Sequence, residues 1–345
     1  MVFEQFGTLP VVRSIPEPVC PPDGVVVEVR ATGVCRSDWH GWMGHDPDIT
    51  LPHVPGHEWA GVILEVGAEV RGWAAGARVT APFVCACGRC PTCLEGNETV
   101  CPNQTQPGFT YWGSFAERVV VDRADVNLVA LPDDVDFVTA AGLGCRFATA
   151  YRALVHLGEV RADQSVAVFG CGGVGLSAVM IAASRGARVV AVDVSPAALD
   201  LAVSLGADVP IAAGTDNDTA DTAAAVLEAT AGGAHLTVDA IGRAGTLADA
   251  VASLRPRGRH VQVGLLLADD ARPPVDMGRV VAKELQLLGS HGMAARDYPA
   301  MLAEIAAGRL DPSRLVARTI GLDEAPAALA GMDSSGPAGT TVVSL

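Results

Sequence analysis

The strongest constraint on the fold is a glycine-rich loop between an apolar run and a helical segment. The run at 165–169 is typical of a buried strand, and 174–184 has the length and composition of a helix. Glycines in such a loop permit a tight turn and close approach to a pyrophosphate, which the free N–H groups at a helix N-terminus attract. The pattern therefore predicts a dinucleotide site at Gly170, Gly172, Gly173, Val174 and Gly175.

The segments that follow this loop alternate between strand and helix. Strands are predicted at 188–193, near 209–211, and at 236–240, 259–264 and 284–289, with helices at 196–205, 219–231 and 244–253. Short turns between such elements predict an α/β fold with a doubly wound parallel sheet over residues 151–290. Asp193 ends the second strand, where a carboxylate can accept hydrogen bonds from both ribose hydroxyls of NAD and would repel the 2′-phosphate of NADP. We therefore favour NAD over NADP.

The N-terminal part of the chain has a different pattern. Runs rich in valine and isoleucine, such as 25–29 and 61–66, are separated by proline and glycine, which predicts a mainly β domain over residues 1–150. Further strands are predicted at 117–121, 316–320 and 340–343, and helices at 146–157 and 298–307. The tail, residues 291–345, therefore follows the alternating region as a separate segment.

Five of the nine cysteines lie in a lobe at about 85–101. Cys87, Cys90, Cys93 and Cys101 have the close spacing of a tetrahedral zinc site whose four thiolates leave no open position, which is typical of a structural zinc. Gly88 and Gly96 allow the chain to wrap around the ion. Cys85 falls outside the pattern and is interpreted as a spare thiol.

A second metal site has to be assembled from distant residues. A zinc ion that does chemistry keeps three protein ligands and one open position. Cys35, His57 and Cys145 are the candidates, and each is weak alone because a lone cysteine is more often a core residue. Their occurrence in one chain with a dinucleotide loop favours a catalytic zinc.

Taken together, these motifs resemble the zinc-dependent alcohol dehydrogenases of the medium-chain dehydrogenase/reductase superfamily over nearly the whole chain. The resemblance rests on Gly56-His57-Glu58 with Gly61, Gly67 and Val70, on Cys35-Arg36-Ser37-Asp38-x-His40, on the four-cysteine lobe, on Cys145 and on the glycine loop. It implies a GroES-like, mainly β catalytic domain and a Rossmann domain, with the tail returning to the catalytic domain. It also implies two Zn²⁺ ions per chain, one catalytic and one structural, together with NAD(H).

The resemblance also implies roles for residues around the metal. Ser37 resembles the hydroxyl that takes the proton from the alcohol, and His40 resembles the imidazole that passes it to solvent. Asp38 resembles the acid that orients His57, and Glu58 resembles the acid beneath the zinc. Arg36 matches a position that contacts the cofactor pyrophosphate.

The substrate pocket is the least specific part of the pattern. Phe83, Trp42 and Trp112 lie at or near positions where the family has wall residues, and their rings would favour an apolar substituent on the reacting carbon. Trp42 and Trp112 could equally be ordinary core or interface residues. Val263 and Leu265 follow a strand and are expected to lie against the nicotinamide.

Composition limits the partners. A formal net charge of −15 disfavours binding to nucleic acid or anionic membranes, and no apolar run is long enough to span a bilayer. Without a secretory signal at its start, the chain is expected to be cytoplasmic. The chain length is closer to that of the homotetrameric members of the resembled family than to that of its longer dimeric members. Two alternatives stay open: a zinc-dependent polyol or amino-alcohol dehydrogenase and, more remotely, a zinc-ribbon nucleic-acid-binding or regulatory protein.

Overall fold

The computed structural model describes residues 1–214, 219–333 and 338–345. These residues form two compact units. The first unit contains Met1–Ala148 and Gly292–Leu345, and the second contains Thr149–His291. The tail therefore packs with the N-terminal region rather than with the alternating segment.

The first unit is built on a seven-stranded mixed sheet. Its strands are β1 (Val25–Val34), β2 (Trp59–Val66), β3 (Arg78–Thr80), β4 (Arg118–Val121), β5 (Val129–Ala130), β12 (Val316–Ile320) and β13 (Thr340–Ser344). The order is β12-β13-β1-β2-β3-β5, and β4 also pairs with β1. All pairs are antiparallel except β12 with β13. Strand β1 buries Val25, Val27 and Val29 against Trp59 and Ile63 of β2. This valine-rich strand joins the tail to the sheet, because its far end pairs with β13.

Short helices connect these strands: α1 (Arg36–Trp42), α2 (Pro91–Leu94), α3 (Ala124–Asn127), α4 (Phe137–Ala141), α11 (Tyr298–Ala306) and α12 (Ala325–Ala330). Helix α4 begins with Asp136 as its N-cap, whose side chain accepts a hydrogen bond from the Thr139 N–H. The boundary between the two units falls inside α5 (Ala148–Tyr151).

The second unit is a six-stranded, all-parallel sheet. Its strands are β6 (Ser165–Phe169), β7 (Arg188–Asp193), β8 (Val209–Ala212), β9 (Ala234–Asp239), β10 (Leu254–Gln262) and β11 (Gln286–Gly289), in the order β11-β10-β9-β6-β7-β8. Its remaining helices are α6 (Gly173–Ser184), α7 (Pro196–Ser204), α8 (Thr219–Ala229), α9 (Ala244–Ala252) and α10 (Met277–Ala282). Every residue of β6 is buried, as expected for a central parallel strand. Among the described residues, no helix has the length and apolar character to cross a bilayer.

The predicted α/β fold class is confirmed, and the predicted bounds of β6 and β7 match the structure. The helix predicted over 146–157 differs from the observed backbone. Two wide π-helical segments, Leu143–Phe147 and Arg152–Leu157, flank α5, so the helical region begins three residues earlier than predicted. Apolar periodicity does not reveal a π-helical turn, because the pattern assumes a constant 3.6 residues per turn.

Two glycines of the dinucleotide loop offer a matched test of the packing of α6. A Cβ at Gly175 would lie 1.6 Å from the Gly170 carbonyl oxygen, whereas a Cβ at Gly172 would meet no atom within 4 Å. We expect Gly175→Ala to destabilise the second unit by at least about 3 kcal/mol, because backbone rather than a flexible side chain has to move. We expect Gly172→Ala, whose φ is −77°, to leave stability unchanged or slightly raised. Equal melting temperatures for the two variants would contradict this account.

Candidate active site

The carboxylate of Asp38 connects the two ends of the predicted metal site. Its Oδ2 accepts the Cys35 N–H at 3.0 Å, and its Oδ1 accepts the Gly56 N–H at 3.0 Å and lies 2.8 Å from His57 Nδ1. Asp38 and His57 are both 1% exposed. One buried carboxylate therefore fixes the start of α1 and the orientation of the His57 ring.

The orientation of His57 leaves its second nitrogen available as a ligand. The buried Nε2 has no hydrogen-bond partner among the described residues. It belongs to a group of four side chains whose donor atoms all lie within 4.8 Å of one another: Cys35, His57, Glu58 and Cys145. Two thiols and an imidazole are the donors that zinc prefers, so these residues fit a zinc ion. A hydrogen bond from Cys145 lowers the pKa of the Cys35 thiol well below its usual value.

Cys145 is presented by the first π-helical segment. The hydroxyl of Tyr298, at the start of α11, donates to the carbonyl oxygens of Leu143 and Gly144 at 3.1 and 3.3 Å. Gly144 packs close to the backbone of His57, where an added Cβ would lie 3.7 Å from its carbonyl oxygen. The tail of the chain thus holds the turn that carries Cys145.

Glu58 forms a buried ion pair with Arg146. Its Oε1 accepts hydrogen bonds from the Arg146 backbone N–H at 2.7 Å and from Nε at 3.0 Å, and its Oε2 pairs with Nη2. Burial raises the pKa of Glu58 to about 7, although the positive charge of Arg146 acts in the opposite direction. A Cβ at Gly33 would lie 2.5 Å from both Arg146 Nη2 and Glu58 Oε2, so glycine is required there to leave room for the pair.

The four-cysteine lobe forms a second group of donor atoms. Its Sγ atoms are separated by 3.5 to 3.9 Å in three pairs, and the Cys101 Sγ also accepts backbone N–H groups from Cys87 and Asn103 at 3.4 Å. All four donor atoms, those of Cys87, Cys90, Cys93 and Cys101, lie within 4.8 Å of one another. Four thiols in this arrangement fit a closed tetrahedral zinc site.

Two other features of the lobe concern its surroundings. Cys85 is not part of the four-cysteine group: it is fully buried in the core of the β-sheet, and burial raises its pKa to about 12. Arg296, in the tail, forms an ion pair with Glu98 at 2.5 Å and donates to the Gly96 carbonyl. The tail therefore contacts the lobe as well as the turn that carries Cys145.

The dinucleotide loop has the local structure that its sequence predicts. Gly170 has a φ of +92°, and α6 begins at Gly173. The carboxylate of Asp193 accepts the Cys171 N–H at 2.6 Å on one oxygen and the Ser195 N–H at 2.8 Å on the other. Asp193 is thereby fixed beside the loop, with lone pairs left on both oxygens.

The predicted proton carriers lie on α1. Ser37 is half-buried on the first turn, and His40 is half-buried one turn later. The His40 ring contacts His45, with 3.0 Å between the two Nδ1 atoms. Arg36 donates to the Met332 carbonyl at 2.7 Å and pairs with Asp333 at 3.1 Å, so its guanidinium is engaged within the first unit.

The aromatic candidates for the pocket differ in their surroundings. The ring centroid of Phe83 lies 6.1 Å from that of His57. Trp42 is buried in a core cluster and donates its Nε1–H to the Thr8 carbonyl, whereas Trp112 is 37% exposed and donates to the Pro52 carbonyl. Only Phe83 is thus shown beside a candidate metal ligand. In the second unit Val263 is half-buried and Leu265 is exposed.

Sequence reasoning missed Arg146, Tyr298 and His45. Arg146 directly follows Cys145, but no sequence signal identifies Glu58 as its partner 88 residues earlier. Tyr298 is equally distant in sequence from the turn it holds. Gly44 is a partial signal for His45, because a glycine that ends a helix returns the next residue to the last turn, but the helix itself, α1, was not predicted from the sequence.

Comparison with known proteins gives two family matches. The alcohol dehydrogenase GroES-like domain matches residues 21–133, and the zinc-binding dehydrogenase family matches residues 173–307. An alcohol dehydrogenase from Geobacillus stearothermophilus is 35% identical over 313 residues, which cover 90% of this chain and 89% of that protein.

Solved structures give the same relationship. An NAD-dependent alcohol dehydrogenase superposes with a TM-score of 0.88 at 29% identity, covering 100% of this chain and 98% of that one. A zinc-binding dehydrogenase from Sinorhizobium meliloti 1021, bound to NADP, superposes with a TM-score of 0.87 at 28% identity, with the same coverage. The first unit is therefore GroES-like and the second Rossmann-like, as expected from the sequence.

The buried ion pair gives a test of how the metal site is supported. We expect Arg146→Met to destabilise the protein by about 3–5 kcal/mol, because it leaves Glu58 buried without its partner. The matched control is Arg118→Met, which breaks the exposed pair with Glu17 and should cost less than about 1 kcal/mol. Denaturant unfolding measures both changes, and equal losses would show that burial of the Glu58 pair is unimportant.

Proposed function

The chain belongs to the zinc-containing alcohol dehydrogenases of the medium-chain dehydrogenase/reductase superfamily, and from this membership we propose its reaction in detail. The chain reversibly oxidises a primary or secondary alcohol to the aldehyde or ketone, with NAD as the hydride acceptor. The first unit is the catalytic domain and the second unit binds the dinucleotide.

The observation that carries this proposal is the grouping of Cys35 and His57, which are buried, with Cys145, which is half-buried. Three protein donors suit a zinc ion that keeps one position for the substrate oxygen. Bound there, zinc supplies Lewis acidity, which lowers the pKa of the alcohol. Asp38 keeps the Nδ1 side of His57 occupied, so that Nε2 is the ligand atom.

Ser37 and His40 carry the proton. Ser37 follows Cys35 by two residues, so its hydroxyl is a suitable acceptor for the proton of the alcohol, and His40 then passes the proton toward solvent. An imidazole suits this step because its pKa lies near neutrality.

Two charged residues complete the proposed site. Glu58 keeps its pair with Arg146, and its carboxylate, which belongs to the same group of donor atoms, would be a fourth candidate ligand for the metal. Arg36 contacts the pyrophosphate. Its present pair with Asp333 is exposed and therefore weak enough to exchange for a phosphate.

The preference for NAD rests on Asp193. Each of its oxygens holds one backbone N–H and can still accept one ribose hydroxyl, whereas a 2′-phosphate would face a carboxylate. The solved relatives include both an NAD-dependent enzyme and one bound to NADP, so relationship alone does not choose between the two cofactors. The negative charge of Asp193 is the feature of this chain that favours NAD.

We further propose that the protein is a cytoplasmic homotetramer. The thiols of all nine cysteines are unpaired, which suits a reducing compartment. The tetramer is expected by analogy with family members of similar length, and light scattering coupled to size exclusion would measure it.

Metal content and substrate range test the reaction. We expect two zinc ions per chain and turnover of simple alcohols with NAD faster than with NADP. Exclusive turnover of sugar alcohols would favour the polyol dehydrogenase alternative. No oxidation of any alcohol, together with duplex binding that survives about 200 mM salt, would favour a nucleic-acid-binding protein.

Removal of one proposed ligand tests the site itself. We expect Cys35→Ala to keep one zinc ion and to lower kcat more than about 100-fold, because the Lewis acid contributes several kcal/mol. Cys20→Ser is the matched control, since Cys20 lies outside both groups of donors, and it should keep both ions and full activity. A fully active Cys35→Ala variant would overturn the catalytic site.

A further inference from the structure

Helix α1 ends in a turn that brings two histidines together. Gly44 has a φ of +80°, its N–H donates to the Gly41 carbonyl at 3.0 Å, and the His45 N–H donates to the His40 carbonyl at 3.0 Å. These two bonds form a Schellman motif with Gly44 at the C′ position. In this motif the residue after the glycine packs against the residue at the start of the last helical turn. These two residues are His45 and His40.

The two imidazole rings are in contact. Their Nδ1 atoms are 3.0 Å apart and their centroids 5.3 Å apart. The ring of Trp39 packs edge-on against both, at 5.1 Å from His40 and 5.8 Å from His45. A hydrogen bond between two Nδ1 atoms requires a proton on one of them and a lone pair on the other. It leaves the Nε2 atoms of both rings for other partners.

The rings also differ in exposure. His40 is half-buried, whereas His45 is exposed. The pair therefore leads from the residue assigned to the proton path outward to solvent.

We propose that His45 is a second proton carrier, which accepts the Nδ1 proton of His40 and delivers a proton to water. This inference rests on the alcohol oxidation proposed above, in which one proton is released for each hydride transferred. His40 takes a proton at Nε2 while its Nδ1–H bond breaks and a new N–H bond forms at Nδ1 of His45. His45 then loses its Nε2 proton to water, so one proton enters the pair, one leaves and no electrons move. Exchange of ring protons with water between turnovers restores the starting tautomers.

The charges around His40 favour onward transfer. Burial, His45 and Arg36 lower the pKa of His40, whereas Cys35 and Asp333 act in the opposite direction. The net lowering means that a proton on His40 is readily given up. The exposed ring of His45, 3.0 Å away, is the acceptor that the geometry provides.

The decisive variant is His45→Gln, because glutamine keeps a polar side chain at this position but cannot carry a proton. We expect proton release in the first turnover, followed with a pH indicator by stopped flow, to slow about 3- to 10-fold near pH 7, which is below the contribution typical of a direct general base. The KM for the alcohol should stay unchanged. Added imidazole should restore the rate, and the defect should disappear near pH 9, where hydroxide accepts the proton.

The control is His156→Gln, which changes another exposed histidine and should match the wild type. Nitrogen-15 NMR of the histidine rings adds a readout that does not depend on turnover. In the wild type one Nδ1 of the pair should show the shift of a protonated hydrogen-bond donor and the other the shift of an acceptor, and in His45→Gln this paired signature should be lost.

The outcomes separate this inference from the proposed function. A wild type that forms no NADH from any alcohol overturns the proposed function. A wild type that is active, with proton release in His45→Gln unchanged across the pH range, overturns the role of His45 alone. Slowed release that imidazole restores, together with the NMR signature of a hydrogen bond between the two Nδ1 atoms in the wild type, supports it.

Discussion

The carboxylate of Asp38 is the interaction on which the candidate metal site depends. It forms hydrogen bonds with three separate groups: the backbone N–H of Cys35, the backbone N–H of Gly56 and the ring of His57. A buried carboxylate without partners would be costly, but each of these bonds offsets part of its desolvation. The same bonds fix two of the proposed ligands, Cys35 and His57. The interactions that stabilise the buried carboxylate therefore also set the geometry of the site. This explains why an acid sits at a position that is 1% exposed.

Much of this arrangement could be predicted from the sequence, and the reason is local geometry. The glycine loop, Asp193 at the end of β7 and the close spacing of the four cysteines are patterns over short distances, where chain connectivity limits the possible structures. Cys35, His57 and Cys145 were weak candidates from the residues alone, and the resemblance to a family strengthened their grouping. Periodicity alone would not have joined them, because nothing local relates residues more than 20 positions apart.

The parts that sequence could not supply are long-range or depend on a local departure from regular structure. Arg146 meets Glu58 across 88 positions, and the space for both depends on the missing side chain of Gly33. The sequence does not distinguish a pocket position from a core position for Trp42. The structure places it in a core cluster, with its indole N–H donating to the Thr8 carbonyl. The π-helical turn at Cys145 lengthens the hydrogen-bonded turn by about one residue relative to an α-helix, which an apolar pattern does not detect.

The tail gives these separate features a common support. Within a short stretch, Arg296 contacts the four-cysteine lobe at Gly96 and Glu98, and Tyr298 holds the carbonyls of the turn that carries Cys145. Tyr298 is fully buried, so water does not compete for the hydrogen bonds from its hydroxyl to the carbonyls of Leu143 and Gly144. Arg296 and Tyr298 are only two residues apart, so one short stretch of the tail makes both sets of contacts. One segment of the tail is therefore shared by the four-cysteine lobe and by the turn that carries Cys145, a proposed ligand of the candidate catalytic site.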